Sequence, residues 1–186
     1  TFINYDGTRM RPFSSVEEMN KAIIDNWNNT VGPDDYVYML GDFCLGGVEA
    51  VKELCSQLNG HKILIKGNHD HCSNKVYREA GFETVVKEEL IVKFDHLDTT
   101  IHFSHHRKPE EETHYLNLYG HVHDKPSDDE MHKCVCVELI NYTPVLLDTL
   151  IGYPHRYQRQ EQGGPAAQSP AAGNLPYPGA GLHHRK

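Results

Sequence analysis

Apolar residues follow two patterns along the chain, short continuous runs and stripes at helical spacing. The short runs predict strands over residues 36–40, 62–66, 82–86, 89–94, 99–103, 116–119 and 134–139. The stripes predict helices from residue 14 to the turn at residue 33, from residue 46 to about 58, and over 74–80. Residues 144–151 read as either a helix or an irregular element. This order of elements predicts an α/β domain with a layered, mixed sheet.

The first helix carries its own start signal. Ser14 followed by Glu17 fits a capping box, which satisfies free N–H groups at a helix N-terminus. One face of this helix is apolar, which predicts that it packs on the sheet through Val16, Met19, Ile23 and Trp27.

Four of the predicted strands end in a small residue that is followed at once by side chains able to bind a metal. These clusters are Gly41-Asp42, Gly67-Asn68-His69-Asp70, Ser104-His105-His106 and Gly120-His121-Val122-His123. Each cluster alone would be an ordinary polar turn. Sites in α/β sheets gather beyond the carboxyl ends of strands, so we expect the four to converge. If strand geometry persists past residue 120, the imidazoles of His121 and His123 point to one side.

The four clusters, in this order, resemble the calcineurin-like metallophosphoesterase superfamily, and the resemblance runs over residues 4–157. The Arg11-Pro12-Phe13 stretch and the Trp27-Asn28 segment are similar to the short bacterial and phage-type members. The resemblance implies a β-sandwich of mixed sheets flanked by helices, in α/β/β/α layers. It also implies a metal-dependent phosphoesterase with two divalent transition metals. Mn, Fe, Zn and Ni all suit the mixed nitrogen and oxygen ligands, and ligand type does not choose among them.

The resemblance assigns a role to each matching position. Asp42 would bridge the two metals, and one metal would be completed by Asn68, His105 and His121. His123 would bind the other metal. His69 would assist the leaving group, and Asp70 would orient His69. His106 and Arg107 match no ligand position, and they would either touch the substrate phosphate or simply be exposed.

The family pattern opens with an Asp-x-His motif at the end of a first strand, and neither has a counterpart in this chain. Two ligands of the His123 metal therefore lack a match, so the chain is expected to hold two metals or only one. We expect an N-terminally truncated form of a longer protein, with natural loss as the alternative. Loss of the first strand would expose apolar surface, which predicts self-association into a homo-oligomer.

The expected activity is hydrolysis of phosphodiester or phosphomonoester bonds in a small nucleotide-type substrate. Two bound metals would neutralise the phosphate charge and supply a hydroxide nucleophile, while His69 would assist the leaving group. The alternative is a degenerate, non-catalytic member that binds a phosphorylated ligand or a partner. A structural zinc module is disfavoured, because such sites prefer Cys-rich tetrads. The protein-phosphatase branch is also disfavoured, because Gly41-Asp42 is not followed by Asp-Arg-Gly.

Composition indicates which classes of partner are disfavoured and where the folded domain ends. There are 18 Lys and Arg against 26 Asp and Glu, giving a formal net charge of −8. This balance disfavours general binding to nucleic acid or membrane surfaces. With no apolar run of membrane-spanning length and no signal-peptide pattern, we expect a cytoplasmic protein. Residues 1–158 are expected to form the metallophosphoesterase-like domain, and the Pro/Gly/Ala-rich residues 159–186 a disordered tail.

The five cysteines form no zinc-type pair, and their odd number argues against a disulfide framework. Cys134 and Cys136 are predicted to face the core from one side of the last strand. Cys44 and Cys72 lie beside proposed ligands, and we interpret them as packing residues.

Overall fold

Two β-sheets and the helices beside them make up residues 11–152, the part of the chain that the computed structural model describes. The strands are β1 (Tyr36–Met39), β2 (His61–Ile65), β3 (Phe82–Val86), β4 (Glu89–Phe94), β5 (Thr99–Ser104), β6 (Leu116–Tyr119) and β7 (His132–Cys134). The helices are α1 (Val16–Thr30), α2 (Val48–Ser56), α3 (Asn74–Ala80) and α4 (Leu147–Leu150), with 3₁₀ turns at Asp95–Leu97 and Glu110–Glu112. The predicted α/β fold of two sheets flanked by helices is confirmed. The predicted boundary at residue 158 and the tail beyond it lie outside the described residues.

Strand direction brings the ends of several strands together. The first sheet has the order β1-β2-β3 and is parallel throughout. The second sheet has the order β4-β5-β6-β7, with β4 antiparallel to β5 and the other pairs parallel. In each sheet, therefore, the strands that precede the four clusters run in the same direction. Their carboxyl ends lie at a common edge of that sheet, as the sequence pattern predicted.

The core forms because β2 is apolar on both faces. Ile63 and Ile65 pack against residues of the second sheet, including Ile101 and Phe103 of β5, and fill the space between the sheets. Leu64 points the other way and packs with residues of α2, α3 and β3. A strand covered on both faces reads as a continuous apolar run, which is why residues 62–66 were recognisable.

The start of α1 differs from the prediction by one residue. Ser15, not Ser14, is the N-cap, and its hydroxyl accepts a hydrogen bond from the Glu18 backbone N–H at 3.1 Å. The Glu18 carboxylate accepts from the Ser14 backbone N–H at 2.8 Å. The capping box at Ser14 and Glu17 was therefore wrong. On the apolar face, Met19 and Trp27 are buried, whereas Val16 is exposed.

The last predicted strand was also wrong over most of its length. β7 covers only His132–Cys134, and the chain then enters turns in which Leu139 N–H donates to the Cys136 carbonyl and Tyr142 N–H to the Val137 carbonyl. The neighbouring strand β6 ends at Tyr119, whose carbonyl accepts from the Val135 N–H at 2.8 Å, and within residues 11–152 the strand pairing goes no further. Cys134 and Cys136 are nevertheless both buried, as predicted.

The helices of residues 11–152 are each too short or too polar to cross a lipid bilayer.

Candidate metal centre

Asp70 joins the first two metal-binding clusters through their backbones. Its buried carboxylate accepts hydrogen bonds from the backbone N–H groups of Asp42 at 2.7 Å, Phe43 at 3.0 Å and Gly67 at 2.8 Å. The Tyr77 hydroxyl donates a fourth bond, at 3.1 Å. Four donors satisfy the hydrogen-bonding capacity of this buried carboxylate. The loops after β1 and β2 are thereby held side by side.

Close approach of these loops depends on two glycines. A Cβ on Gly67 would lie 2.2 Å from Asp42 Oδ1 and 2.6 Å from the Asp42 nitrogen. A Cβ on Gly41 would lie 2.4 Å from the Gly67 nitrogen, and Gly41 also has a positive φ of 87°. Only glycine tolerates both the contact and the left-handed backbone. This explains why a glycine precedes each of the two ligand clusters.

His105 is the point at which both sheets meet. It directly follows β5, and its Nδ1 lies 2.7 Å from the carbonyl oxygen of Leu40 at the end of β1. Its own carbonyl accepts from the Gly120 N–H at 3.0 Å, which attaches the cluster after β6. The His105 side chain is buried, so it is fixed in place by the ends of three strands.

Three other predicted ligands surround the second nitrogen of His105. His105 Nε2 lies 2.9 Å from Asn68 Oδ1, 3.1 Å from His121 Nδ1 and 3.5 Å from Asp42 Oδ2. The structure therefore brings together the four residues that the resemblance assigned to one metal.

The chemistry of these four atoms fits a cation. The Leu40 carbonyl can only accept, so His105 carries its proton on Nδ1 and, when neutral, presents a lone pair at Nε2. The facing amide oxygen and carboxylate oxygen also present lone pairs. Electron-rich atoms gathered this closely repel one another unless a positive charge lies among them. A histidine that donates its other N–H to a backbone carbonyl is also the usual arrangement of a metal ligand.

His106 is a member of this cluster that the sequence reasoning left outside the ligand set. Nitrogen atoms of His105, His106 and His121 lie within 4.8 Å of one another. His106 and His121 are exposed, but partial loss of solvent around their rings lowers their pKa values, and the neighbouring imidazoles lower them further. Both rings are therefore neutral at physiological pH, which is the state that binds metals. The adjacent His105-His106 pair in the sequence was the signal that His106 could lie beside the proposed ligands.

The two histidines of Gly120-His121-Val122-His123 do not continue strand geometry. His121 has a φ of 72° and His123 a φ of 56°, both in the left-handed region. His121 contacts His105, whereas His123 Nδ1 lies 3.0 Å from Glu138 Oε1. The premise that both rings point to one side of a strand was wrong. Asp42 also has a positive φ, of 54°, so three proposed ligands occupy a sparsely populated backbone region, as is common at functional sites.

His69 lies at the surface beside Asp42. Its backbone N–H donates to Asp42 Oδ1 at 2.9 Å, and its side chain is exposed. The four hydrogen bonds described for the Asp70 carboxylate come from Asp42, Phe43, Gly67 and Tyr77 and not from His69, so the orienting of His69 by Asp70 stays a prediction. Asp70 fixes the backbone of the ligand loops.

Arg107 does not contribute its charge to the centre. Its guanidinium donates to Asp129 Oδ2 at 2.5 Å and to the Ser127 carbonyl at 2.9 Å. These bonds hold the segment after β5 against the segment before β7. The alternative in which Arg107 touches a substrate phosphate therefore finds no support in its contacts.

Several known proteins and one family model are similar to this chain in sequence or in fold. The family model for calcineurin-like phosphoesterases matches residues 10–168. An uncharacterized protein of Methanocaldococcus jannaschii is 38% identical over 149 residues, which are 76% of this chain and 78% of that protein. The crystal structure of a protein of unknown function from Aquifex aeolicus matches with a TM-score of 0.55 and 24% identity. That match covers 72% of this chain and 84% of the other.

The ligand clusters, the two-sheet fold and the family match agree with one another. The residues that carry this agreement lie at the ends of the strands. The chain belongs to the calcineurin-like phosphoesterase family, whose members are metal-dependent phosphoesterases.

Proposed function

We propose that this chain hydrolyses phosphoester bonds in small nucleotide-type substrates by means of two divalent metals. One observation carries the proposal. His105 Nε2 lies within 3.5 Å of ligand-type atoms from Asn68, His121 and Asp42, and these four groups are the proposed ligands of one of the two metals. His123 is the proposed ligand of the second metal, and Asp42 is the proposed bridge.

The bound metals would neutralise the phosphate charge and lower the pKa of water toward neutrality. The chain's own residues would position the substrate and protonate the leaving group. Two hydrogen bonds fix the position of Asp42. The Asp42 backbone N–H donates to the Asp70 carboxylate, and the His69 backbone N–H donates to Asp42 Oδ1. Because the centre is assembled from the ends of β1, β2, β5 and β6, its geometry is set by the sheets rather than by mobile segments.

His69 is the proposed general acid for the leaving group. Its backbone is attached to Asp42, while its exposed ring is accessible to a bound substrate. General acid catalysis contributes about 10²–10⁴-fold to a rate, and it matters most when the leaving alcohol is poor. We therefore expect His69→Ala to lower kcat strongly on an alkyl phosphoester and weakly on a 4-nitrophenyl phosphoester. An equal loss on both substrates would contradict this role.

Charge supports a small substrate over long nucleic acid. The chain has a formal net charge of −8, whereas proteins that track a nucleic-acid backbone carry basic stripes. Two cationic side chains beside the clusters are already engaged: Arg107 pairs with Asp129, and Lys66 Nζ donates to the Cys72 carbonyl at 2.8 Å. A diester carries less negative charge than a monoester, so we expect faster turnover of the diester.

The test is turnover by the chelator-treated protein before and after separate reloading with Mn²⁺, Fe²⁺, Zn²⁺ or Ni²⁺. The substrates are bis(4-nitrophenyl) phosphate and 4-nitrophenyl phosphate. We expect turnover to depend on metal, to fall in His121→Ala and to persist in His114→Ala, which changes an exposed histidine outside the proposed ligand set. Metal and phosphate binding without turnover would contradict the proposal and favour a non-catalytic binding protein.

A further inference from the structure

A buried ion pair lies behind His123, outside the proposed ligand set. Arg11 donates to Glu138 Oε1 from both Nε and Nη2, each at 2.8 Å. The same carboxylate oxygen lies 3.0 Å from His123 Nδ1. The side chains of Arg11 and Glu138 are only 11% and 6% exposed, whereas that of His123 is 37% exposed. Three residues far apart in the sequence therefore form one chain of contacts that ends at His123.

The direction of the last hydrogen bond follows from the chemistry of Glu138. Glu138 Oε1 is paired with the Arg11 guanidinium through both Nε and Nη2, and a carboxylate held in such an ion pair acts as a hydrogen-bond acceptor. An ionised carboxylate only accepts, so His123 must carry its proton on Nδ1 and donate it to Glu138. In the neutral ring, Nε2 is then the nitrogen that carries no proton.

We propose that the Arg11–Glu138 pair is a positioning device that fixes the ring orientation and tautomer of His123 for metal binding through Nε2. The proposal rests on the proposed role of His123 as a ligand of the second metal. A buried ion pair is a weak source of stability, because desolvation offsets most of the attraction. The pair can instead act by orienting a ligand, since carboxylates that contact metal-binding histidines commonly set their tautomer.

The same contacts give a role to the Arg11-Pro12-Phe13 stretch, which the function so far left unexplained. The ring of Phe13 packs edge-on against Tyr142, with centroids 4.9 Å apart. Tyr142 belongs to the turns that begin at Val137 and include Glu138, and its N–H donates to the Val137 carbonyl at 2.8 Å. Arg11 Nη1 also contacts the sulfur of Met19 on α1 at 3.3 Å. The stretch thus attaches α1 to the segment that carries Glu138.

Nitrogen NMR of the metal-free protein tests the tautomer directly. With ¹⁵N-labelled histidine at a pH above the usual histidine pKa, the His123 signals are assigned by their loss in His123→Gln. We expect the proton on Nδ1 in the wild type. Glu138→Met, which is similar in size and accepts poorly, should shift His123 toward a mixture of tautomers. Glu138→Gln keeps an acceptor oxygen and should retain the Nδ1–H form, with a weaker hydrogen bond.

Metal titration provides the second measurement. The affinity of the metal site that contains His123 should fall by about 10–100-fold in Glu138→Met and by less in Glu138→Gln. Glu89→Met is the matched control, because Glu89 contacts a different histidine, His102 Nε2, at 2.9 Å. This control should leave the His123 tautomer and both metal affinities unchanged.

The two measurements separate this proposal from the proposed function. An unchanged His123 tautomer in folded Glu138→Met would overturn the positioning role, whatever the metal affinities. If the wild type bound no second metal, the ligand role of His123 would fail, and with it the positioning role for metal binding. A tautomer shift together with the graded loss of affinity supports both.

Discussion

Asp70 shows how a residue's hydrogen-bond partners decide its role at this centre. Its type and its place after His69 suggested a catalytic partner, yet its carboxylate accepts backbone N–H bonds from both ligand loops. The sequence could mark Asp42, Asn68, His105, His121 and His123 as candidate ligands because their clusters each follow a strand and a small residue.

Glu138 was not identifiable from the sequence, for a physical reason. It lies 15 residues from His123 and 127 from Arg11, and no local spacing marks these contacts. His106 was visible but unassigned, because only the folded chain shows its ring beside His105 and His121.

Asp70→Ala should destabilise the protein by about 3 kcal/mol or more, because it leaves several backbone donors without an acceptor in a buried place. Tyr77→Phe is the matched control, since it removes only one of the four donors and should cost about 1 kcal/mol. Urea denaturation of the metal-free proteins measures both values. Similar losses in the two variants would contradict the role assigned to Asp70.

At the scale of elements, strands were predicted well wherever an apolar run has a partner strand. The bounds of α3, β3, β4 and β6 agree with the sequence pattern, and β1, β2 and β5 agree within one residue at each end. The error over residues 134–139 arose because alternating apolar residues show burial, whereas a strand also needs hydrogen-bond partners beside it.

Helix α1 gives a test of its own start. Ser15→Ala should cost about 1 kcal/mol, because the Ser15 hydroxyl accepts the Glu18 N–H. Ser14→Ala keeps the Ser14 backbone N–H that donates to the Glu18 carboxylate, so its cost should be smaller. Thermal or urea unfolding of the two variants gives the comparison. A larger loss in Ser14→Ala would favour the cap predicted from the sequence.

For the molecule as a whole, acid stability should depend on hydrogen-bonded carboxylates, of which Asp129 is an exposed example. A hydrogen bond from His132 is the largest influence lowering the pKa of Asp129 to about 2, with further bonds from the Met131 N–H and Arg107. The usual aspartate pKa is about 3.9. The folded pKa is therefore below the unfolded one, so Asp129 stabilises the fold above about pH 4 and loses this effect as pH falls to about 2.

The corresponding measurement compares the urea midpoints of the wild type and Asp129→Asn between pH 6 and pH 2. We expect the wild type to be more stable at pH 6, and the difference to shrink as the pH falls through the acid range. A difference that stays constant with pH would show that Asp129 does not contribute through its charge.

The most direct test of the account is the metal content of the protein, measured by elemental analysis after loading and desalting. His121 suits this test because it contacts His105 Nε2 at 3.1 Å and is exposed, so His121→Ala should still fold. His114→Ala is the matched control. The account predicts bound divalent metal in the wild type and in His114→Ala, and a clear loss in His121→Ala. Equal metal content in all three proteins would contradict the assignment of Asp42, Asn68, His105 and His121 as a metal site.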